Sequence, residues 1–277
     1  MDNGKLYIVA TPIGNLQDLS PRAKSILSEV DLIVAEDTRH SQHLLKHFGI
    51  ATPLKSLHKH NEKQQAEILL QRLLSGDNIA LISDAGTPLI SDPGQFLLQL
   101  ILPEQITVIP IPGASALISA LSVAGFSADK FVFEGFLPTK ATARQQHLEK
   151  LKTETRTLVF YEAPHRIVAC IEIMAQVFGE QRKITLVKEI TKIFETVYQA
   201  SILDVLNWLQ AKPERCKGEF VLVVQGYSLP DNKTVTPEAE RIFKLLRKEL
   251  SLKQAAKLTS EITGISKNSL YTLGITS

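Results

Sequence analysis

The sequence predicts two α/β domains in series with a small helical extension behind them, and three observations lead there. Short apolar runs recur along the first 225 residues, and each stops in a loop punctuated by Gly, Pro, Asp or Ser. Helical patterns separate these runs in the first half, as in a parallel sheet wrapped by helices. After Asp129 the runs crowd together, which predicts a mixed sheet, and a turn-rich stretch from Gly226 to Pro237 precedes a purely helical tail. The expected boundaries are 1–120, 121–226 and 237–277, and 277 residues suffice for two domains and a small addition.

The elements follow in order. Leu6 to Ala10 reads as a strand broken by Thr11-Pro12-Ile13-Gly14. Ser20-Pro21 opens a helix, with Ser as cap and Pro at its first position. Asp31 to Ala35 is a strand running into Glu36-Asp37-Thr38-Arg39, and the helix behind it stops at Gly49. Asn61 caps a long amphipathic helix ending at Gly76. Ile106 to Ile109 is a strand, and the small residues after Gly113 start an apolar helix. In the second half, strands are expected over Phe131–Phe136, Thr157–Tyr161, Lys183–Val187, Phe194–Ala200 and Phe220–Val224. Helices are expected over Lys140–Glu154, behind Arg166 and over Ile202–Gln210. The tail reads as helices over Pro237–Leu250, Leu252–Ile262 and Lys267–Leu273, with Gly264 turning a small helix-turn-helix.

One stretch organises the rest. Ile79 to Ile82 is an apolar run suited to a strand buried on both faces. It ends in Ser83-Asp84-Ala85-Gly86-Thr87-Pro88, and Ser91-Asp92-Pro93-Gly94 then opens another apolar helix. Ligands collect at the carboxyl ends of parallel strands. Gly86 would admit a ligand close to backbone, and Asp84 can bind a hydroxyl or a cation. The competing reading is a plain strand-to-helix connection capped by Asp and Pro.

Composition narrows the classes. Hydrophobic residues at 44% and charged residues at 22% are ordinary for a globular protein, and a net charge of +2 does not by itself argue for nucleic acid. Cys170 and Cys216 form no CxxC pair, which disfavours a disulfide framework or a structural zinc and fits a cytoplasmic home. The apolar run near the N-terminus is too short for a signal peptide, and no run suits a membrane span. GxxxxGKS/T, GxGxxG and GxSxG are all absent. The loops therefore suit a ligand of adenosine-like shape held by backbone groups without a phosphate cradle.

Several clusters admit two readings. His40, His43 and His47 share a helical face, with His58 and His60 close in sequence. No acid completes a metal signature, so no metal site is expected. With Arg39, Lys46, Lys55, Lys59 and Lys63 these histidines read either as a surface for an anionic polymer or as a plain exposed helix and loop. Lys188 to Glu195 and Glu36 to Arg39 place charges at strand ends, where they serve catalysis or surface pairing. The tail's Arg241, Lys244, Arg247, Lys248, Lys253 and Lys257 read as an RNA contact or a solvated helical face.

Taken together the loops resemble a known family. LYIVATPIGNLQDLSPRA (Leu6 to Ala23), AEDTRHS (Ala35 to Ser41), ALISDAGTPLISDPG (Ala80 to Gly94), PIPGASA (Pro110 to Ala116), FVFEGFLP (Phe131 to Pro138), FYEAPHRI (Phe160 to Ile167), VKEITKIFET (Val187 to Thr196) and KGEFVLVV (Lys217 to Val224) are similar, in this order and spacing, to the 16S ribosomal RNA 2'-O-methyltransferases of the tetrapyrrole methylase superfamily. The tail resembles the helix-turn-helix-like extension of the same proteins. The resemblance implies a class III methyltransferase fold, two α/β domains with an S-adenosylmethionine cleft between them, in a homodimer. It implies 2'-O-methylation of a decoding-centre cytidine ribose in 16S rRNA, with the small ribosomal subunit as substrate and neither DNA nor a membrane as partner. A small-molecule, tetrapyrrole-type methyltransferase is the alternative on the same fold.

The cofactor loops of the superfamily correspond here to Pro12, to Asp84, Ala85, Gly86 and Thr87, to Ser115 and Ala116, to Tyr161, Glu162 and Ala163, and to Glu219 and Phe220. A ribose hydroxyl is a weak nucleophile near neutral pH, so a base or a nearby cation is expected. Lys188 and Glu189 are the first candidates, and Asp37 and Arg39 the second.

Overall fold

The computed structural model describes residues 3–228 and 234–276, so residues 229–233 of the expected linker lie outside the described residues. The chain forms two compact units, Met1–Gly226 and Tyr227–Ser277. The first contains two five-stranded sheets.

The first sheet is built from β1 (Lys5–Val9), β2 (Leu32–Ala35), β3 (Leu54–Ser56), β4 (Ile79–Ile82) and β5 (Thr107–Ile111). All its pairings are parallel, in the order β3-β2-β4-β1-β5. Side-chain alternation along the strands gives it two apolar faces. Leu6, Leu81 and Val34 pack with α3 (Glu62–Leu74) and α4 (Gln95–Ile101), through Leu69, Leu73, Leu97 and Ile101. Val9, Ile33 and Ile82 pack on the opposite face with α1 (Pro21–Glu29) and α2 (Thr38–His47), through Leu27 and Leu45. Helices on both faces bury β2 and β4 at every position, which is why they read as unbroken apolar runs.

Local chemistry sets the ends. Ser20 accepts the Ala23 N–H at 3.0 Å and Pro21 opens α1, as expected. Asn61 does not cap α3. Its Oδ1 accepts the His58 N–H at 2.8 Å and braces the preceding turn. The sequence reading did not include β3, three half-buried residues directly behind Pro53.

The second sheet contains β6 (Phe131–Phe136), β7 (Thr157–Glu162), β8 (Lys183–Lys188), β9 (Thr196–Ser201) and β10 (Phe220–Val224), in the order β6-β7-β10-β8-β9. The pair β6–β7 is parallel, and the others are antiparallel. One face packs on α6 (Ala141–Leu151), α7 (Ile167–Phe178) and α8 (Ile202–Gln210). The other face meets α5 (Ala116–Val123). Leu117, Ala120 and Leu121 of α5 pack against Val159, Val187, Val221 and Val223. This helix follows directly from the last strand of the first sheet, so its burial on the second sheet joins the two, and residue 120 lies inside it.

The second unit consists of α9 (Pro237–Arg247), α10 (Leu252–Thr263) and α11 (Lys267–Thr276) around Phe243, Ala255, Ala256, Ile265 and Leu270. Thr236 caps α9, and Gln254 accepts the Ser251 N–H at the start of α10. Gly264 ends α10 in the left-handed region, at φ +73°. Among the described residues no helix is long and apolar enough to cross a membrane.

Candidate active site

The carboxyl ends of β1, β2, β4 and β5 face those of β6, β7 and β8 across a cavity of about 500 Å³. Because β10 runs antiparallel to β7 and β8, its first residues reach the same place.

The wall from the first sheet is stitched together by backbone. Thr11 and Gly86 exchange N–H···O bonds of 2.9 and 3.1 Å, and the Thr11 hydroxyl donates to the Ser83 carbonyl at 3.1 Å. Gly86 lies at φ +84°, and a Cβ there would stand 3.3 Å from Ile13 Cγ2, so the turn requires glycine. The Thr87 hydroxyl donates to the Ala114 carbonyl at 3.2 Å, and Asp84 Oδ1 accepts the Asp37 N–H at 3.0 Å. Four strand-end loops, those after β1, β2, β4 and β5, are thus held in one frame. Ser115 caps α5 at the rim.

The opposite wall carries Tyr161, Glu162 and Ala163 from β7, Ile190 from the β8–β9 loop, and Glu219 with Phe220 from β10. The Tyr161 hydroxyl accepts the Leu117 N–H at 3.2 Å, and burial raises its pKa. Its ring meets those of Phe133 and Phe136 edge-on at 4.9 and 5.6 Å. Glu162 is fully buried and pairs with Arg166 at 3.1 Å and Arg144 at 4.0 Å. Glu219 pairs with Lys192 at 3.0 Å, and the same ammonium reaches Glu189 at 2.9 Å.

The electrostatics are one-sided. Glu36, Asp84, Asp92, Glu162 and Glu219 line the cavity, and no Lys, Arg or His does. Glu162 and Glu219 are neutralised by their partners. Among the described residues, Glu36, Asp84 and Asp92 have no ion pair within 4.0 Å. Burial raises the Asp92 pKa to about 6, helped by Glu36 and Asp84 and opposed by a Ser83 hydrogen bond and by Lys59. Burial also raises Glu36, with Asp84 adding to the effect. A site that accumulates unpaired negative charge favours a cation, which relieves both the repulsion and the desolvation.

The residues expected to hold a cofactor fall as follows. Asp84, Ala85, Gly86, Thr87, Ser115, Ala116, Tyr161, Glu162, Ala163, Glu219 and Phe220 all line this cavity. Pro12 instead lines a neighbouring cavity of about 350 Å³, with Gly14, Leu16, His40, Ser41 and His43, and Asp84 is shared by both. The four catalytic candidates line neither. Lys188 Nζ donates to the Glu214 carbonyl at 2.9 Å. Glu189 accepts from Lys192 and from the Glu219 N–H, each at 2.9 Å. Asp37 accepts the Arg39 N–H at 2.8 Å and caps α2, and the Arg39 hydrogen bonds hold its pKa below the usual range. The Arg39 side chain is 91% exposed.

The sequence reading missed Glu36, Ile13, Phe136, Ile190 and Asp92 as lining residues. The signal for Glu36 is its place directly after a buried strand. That for Asp92 is its membership of the same Gly/Pro loop as Asp84. Among the described residues no group of three His, Cys, Asp or Glu side chains is arranged to hold a metal ion. His40 and His43 border the smaller cavity, and His58 meets His60 edge-on at 6.0 Å.

Residues 5–206 match the family model of the tetrapyrrole (corrin/porphyrin) methylases, and residues 233–276 match that of the RsmI C-terminal HTH domain. The chain is 50% identical to ribosomal RNA small subunit methyltransferase I of Haemophilus influenzae, over 98% of this chain and 96% of that one. It is 48% identical to the protein of the same name from Pseudomonas aeruginosa, over 98% and 96%. Among solved structures it resembles diphthine synthase, at 13% identity and a TM-score of 0.61 over 82% of this chain and 92% of that one. It also resembles the Thermus thermophilus uroporphyrin-III C-methyltransferase complexed with S-adenyl homocysteine, at 15% identity and a TM-score of 0.56 over 80% and 97%.

Proposed function

The chain belongs to the tetrapyrrole methylase family, and from that premise we propose that it is an S-adenosylmethionine-dependent ribosomal RNA methyltransferase that modifies the ribose 2'-hydroxyl of a decoding-centre cytidine in 16S rRNA. The likeness, over nearly the full length, to proteins named for small-subunit rRNA methylation supports the substrate class. The observation that carries the chemistry is the cleft itself, with five carboxylates and no cationic side chain on its wall.

The donor set fits the cofactor. S-adenosylmethionine carries a sulfonium and an ammonium, both suited to Glu36 and Asp84, and has no phosphate that such a wall would repel. Its adenosine suits the apolar surface of Ile13, Ile190 and Phe136 and the backbone groups of Ala85, Gly86, Ser115, Ala116 and Ala163. The methyl electrophile comes with this cofactor, on its sulfonium sulfur. The chain's own residues align the ribose, exclude water and handle the hydroxyl proton.

The RNA backbone itself is repelled by the acidic cleft, so its contacts belong outside it. Arg39, with its exposed guanidinium, and Lys188 are proposed to act there on phosphates, held by Asp37 and by the Glu214 carbonyl. The substrate is proposed to be the assembled small subunit, in the cytoplasm, and the enzyme a homodimer. Exposed Ile118, Val123, Ile193, Phe194 and Val197 support a second copy as partner.

The test is to incubate the protein with radiolabelled S-adenosylmethionine and small subunits lacking the modification, then to map the label. Label on one decoding-centre cytidine ribose is the expected result. Cofactor binding with no transfer to any subunit RNA would leave the fold standing and turn the search to small-molecule acceptors.

A further inference from the structure

We propose that Asp92 is the general base that removes the 2'-hydroxyl proton during methyl transfer, an inference that rests on the substrate reading above. It follows from asking which side chain in the cleft is able to accept a proton. Glu162 is occupied by Arg144 and Arg166 and by the Ala163 N–H at 2.8 Å. Glu219 is paired with Lys192 and its side chain is 76% exposed. The Tyr161 oxygen accepts an amide, and burial keeps the phenol protonated. Asp84 accepts the Asp37 N–H and ties two loops together. Glu36 and Asp92 remain.

Asp92 is the better suited of the two. It is half-buried, between the shared loop of β4 and the buried Pro93-Gly94 start of α4. Leu89 and Ser91 on that loop both lie in the left-handed region, at φ +73° and +80°. Glu36 and Asp84 oppose its charge from the ends of β2 and β4, Tyr161 lies across the cleft, and Lys59 offers partial compensation from the β3–α3 connection. A carboxylate so destabilised holds a captured proton well while still ionising near neutral pH, the compromise a general base needs.

The step balances without another reactant. The ribose oxygen forms a bond to the methyl carbon as the sulfur–methyl bond breaks, its electron pair remaining on sulfur. The hydroxyl proton moves to Asp92, which later releases it to water.

The experiment compares wild type, Asp92→Asn, Asp92→Glu and Glu36→Gln in the full chain. Single-turnover transfer to unmodified small subunits is followed against pH, with cofactor affinity by calorimetry and thermal unfolding of the cofactor-free protein alongside. The wild-type rate should rise with pH and level off once Asp92 is ionised, at or below its cofactor-free value of about 6, since a bound cation lowers a carboxylate pKa. Asp92→Asn should fold, keep its cofactor affinity, lose the inflection and transfer about a hundredfold or more slowly. Asp92→Glu should regain an inflection, and Glu36→Gln should shift it to lower pH. The proposal falls if Asp92→Asn keeps the wild-type rate or inflection, or if saturating cofactor fully restores its rate, since Asp92 would then be holding the cofactor. A wild type that binds cofactor and labels no subunit overturns the substrate reading and the ribose base with it, whereas an active wild type beside an equally active Asp92→Asn removes the base alone.

Discussion

At the scale of the residue, Asp92 links stability to pH with a defined sign. Its folded pKa of about 6 lies above the ordinary aspartate value, so the folded protein binds the extra proton. Protonation is therefore stabilising relative to the ionised state. The difference is absent below about pH 4, grows as pH rises toward 6, and persists as a cost at pH 7. For a half-buried group, solvent screening reduces that cost to on the order of 1 kcal/mol. Asp92→Asn is thus expected to melt a few degrees higher than wild type at pH 7, with the gap closing near pH 4, as seen by calorimetric unfolding of the cofactor-free protein. An unchanged or lower melting temperature at pH 7 would mean that the ionised carboxylate is stabilised in the fold. The same scale explains what the sequence withheld. Asp84 was legible because one loop contains both it and Gly86. The selection of Asp92 depends on Glu36, which lies 56 positions earlier in the chain and meets it only once β2 and β4 pair. Lys188 stood out in sequence as a cation at a strand end, and only the folded chain gives its ammonium to the Glu214 carbonyl. Lys188→Ala is accordingly expected to keep cofactor affinity and the pH inflection of transfer. Loss of the inflection would return the lysine to the proton transfer.

At the scale of the element, β7 and α7 join core to cleft through one buried carboxylate. Glu162 ends β7 in the cavity wall, while Arg166 immediately before α7 and Arg144 within α6 neutralise it from behind. Removing one partner of a buried pair leaves a charge uncompensated, at a cost of about 3 kcal/mol or more. Arg166 also donates to the Leu137 and Pro138 carbonyls, so it fixes the chain behind β6 as well. Arg166→Ala should lower the unfolding free energy, read from the urea midpoint and slope, by that amount, and Arg166→Ala with Glu162→Gln should recover part of the loss. If the double variant is no more stable than the single one, the carbonyl bonds and not the charge hold this corner. Most elements could be read from apolar period and punctuation, as Ile79–Ile82, Phe131–Phe136 and Ile202–Gln210 illustrate. Two features could not. The strand β3, three half-buried residues, is too short to leave a pattern. The helix α5 is apolar nearly throughout, so its period does not tell which sheet it covers, and its packing against Val221 and Val223 is a tertiary fact.

At the scale of the whole molecule, the division of labour between the two units is open to a direct test. The first unit contains both sheets, the four apolar layers that bury them and every residue lining the cleft. The second has its own core around Phe243 and Leu270 and contributes none of those lining residues. Much of its positive charge is paired locally, Arg241 with Glu238 at 2.9 Å, Lys244 with Glu240 at 2.6 Å and Lys257 with Glu261 at 3.8 Å. Lys248, Lys253 and Lys267 make no ion pair within 4.0 Å among the described residues. Cations free to meet phosphates release counterions from RNA, and each adds to the salt dependence of binding. A chain ending at Gly226 should therefore bind S-adenosylmethionine as the full chain does, yet bind small subunits more weakly and with a shallower dependence on salt. Lys248→Ala with Lys253→Ala in the full chain should reproduce part of the shallower slope without touching cofactor affinity. Equal subunit affinity at every salt concentration would mean that the helical unit serves something other than RNA, and the His40 to Lys63 surface of the first unit would then be the face to mutate. Loss of cofactor affinity on truncation would instead make the helices a structural support of the cleft.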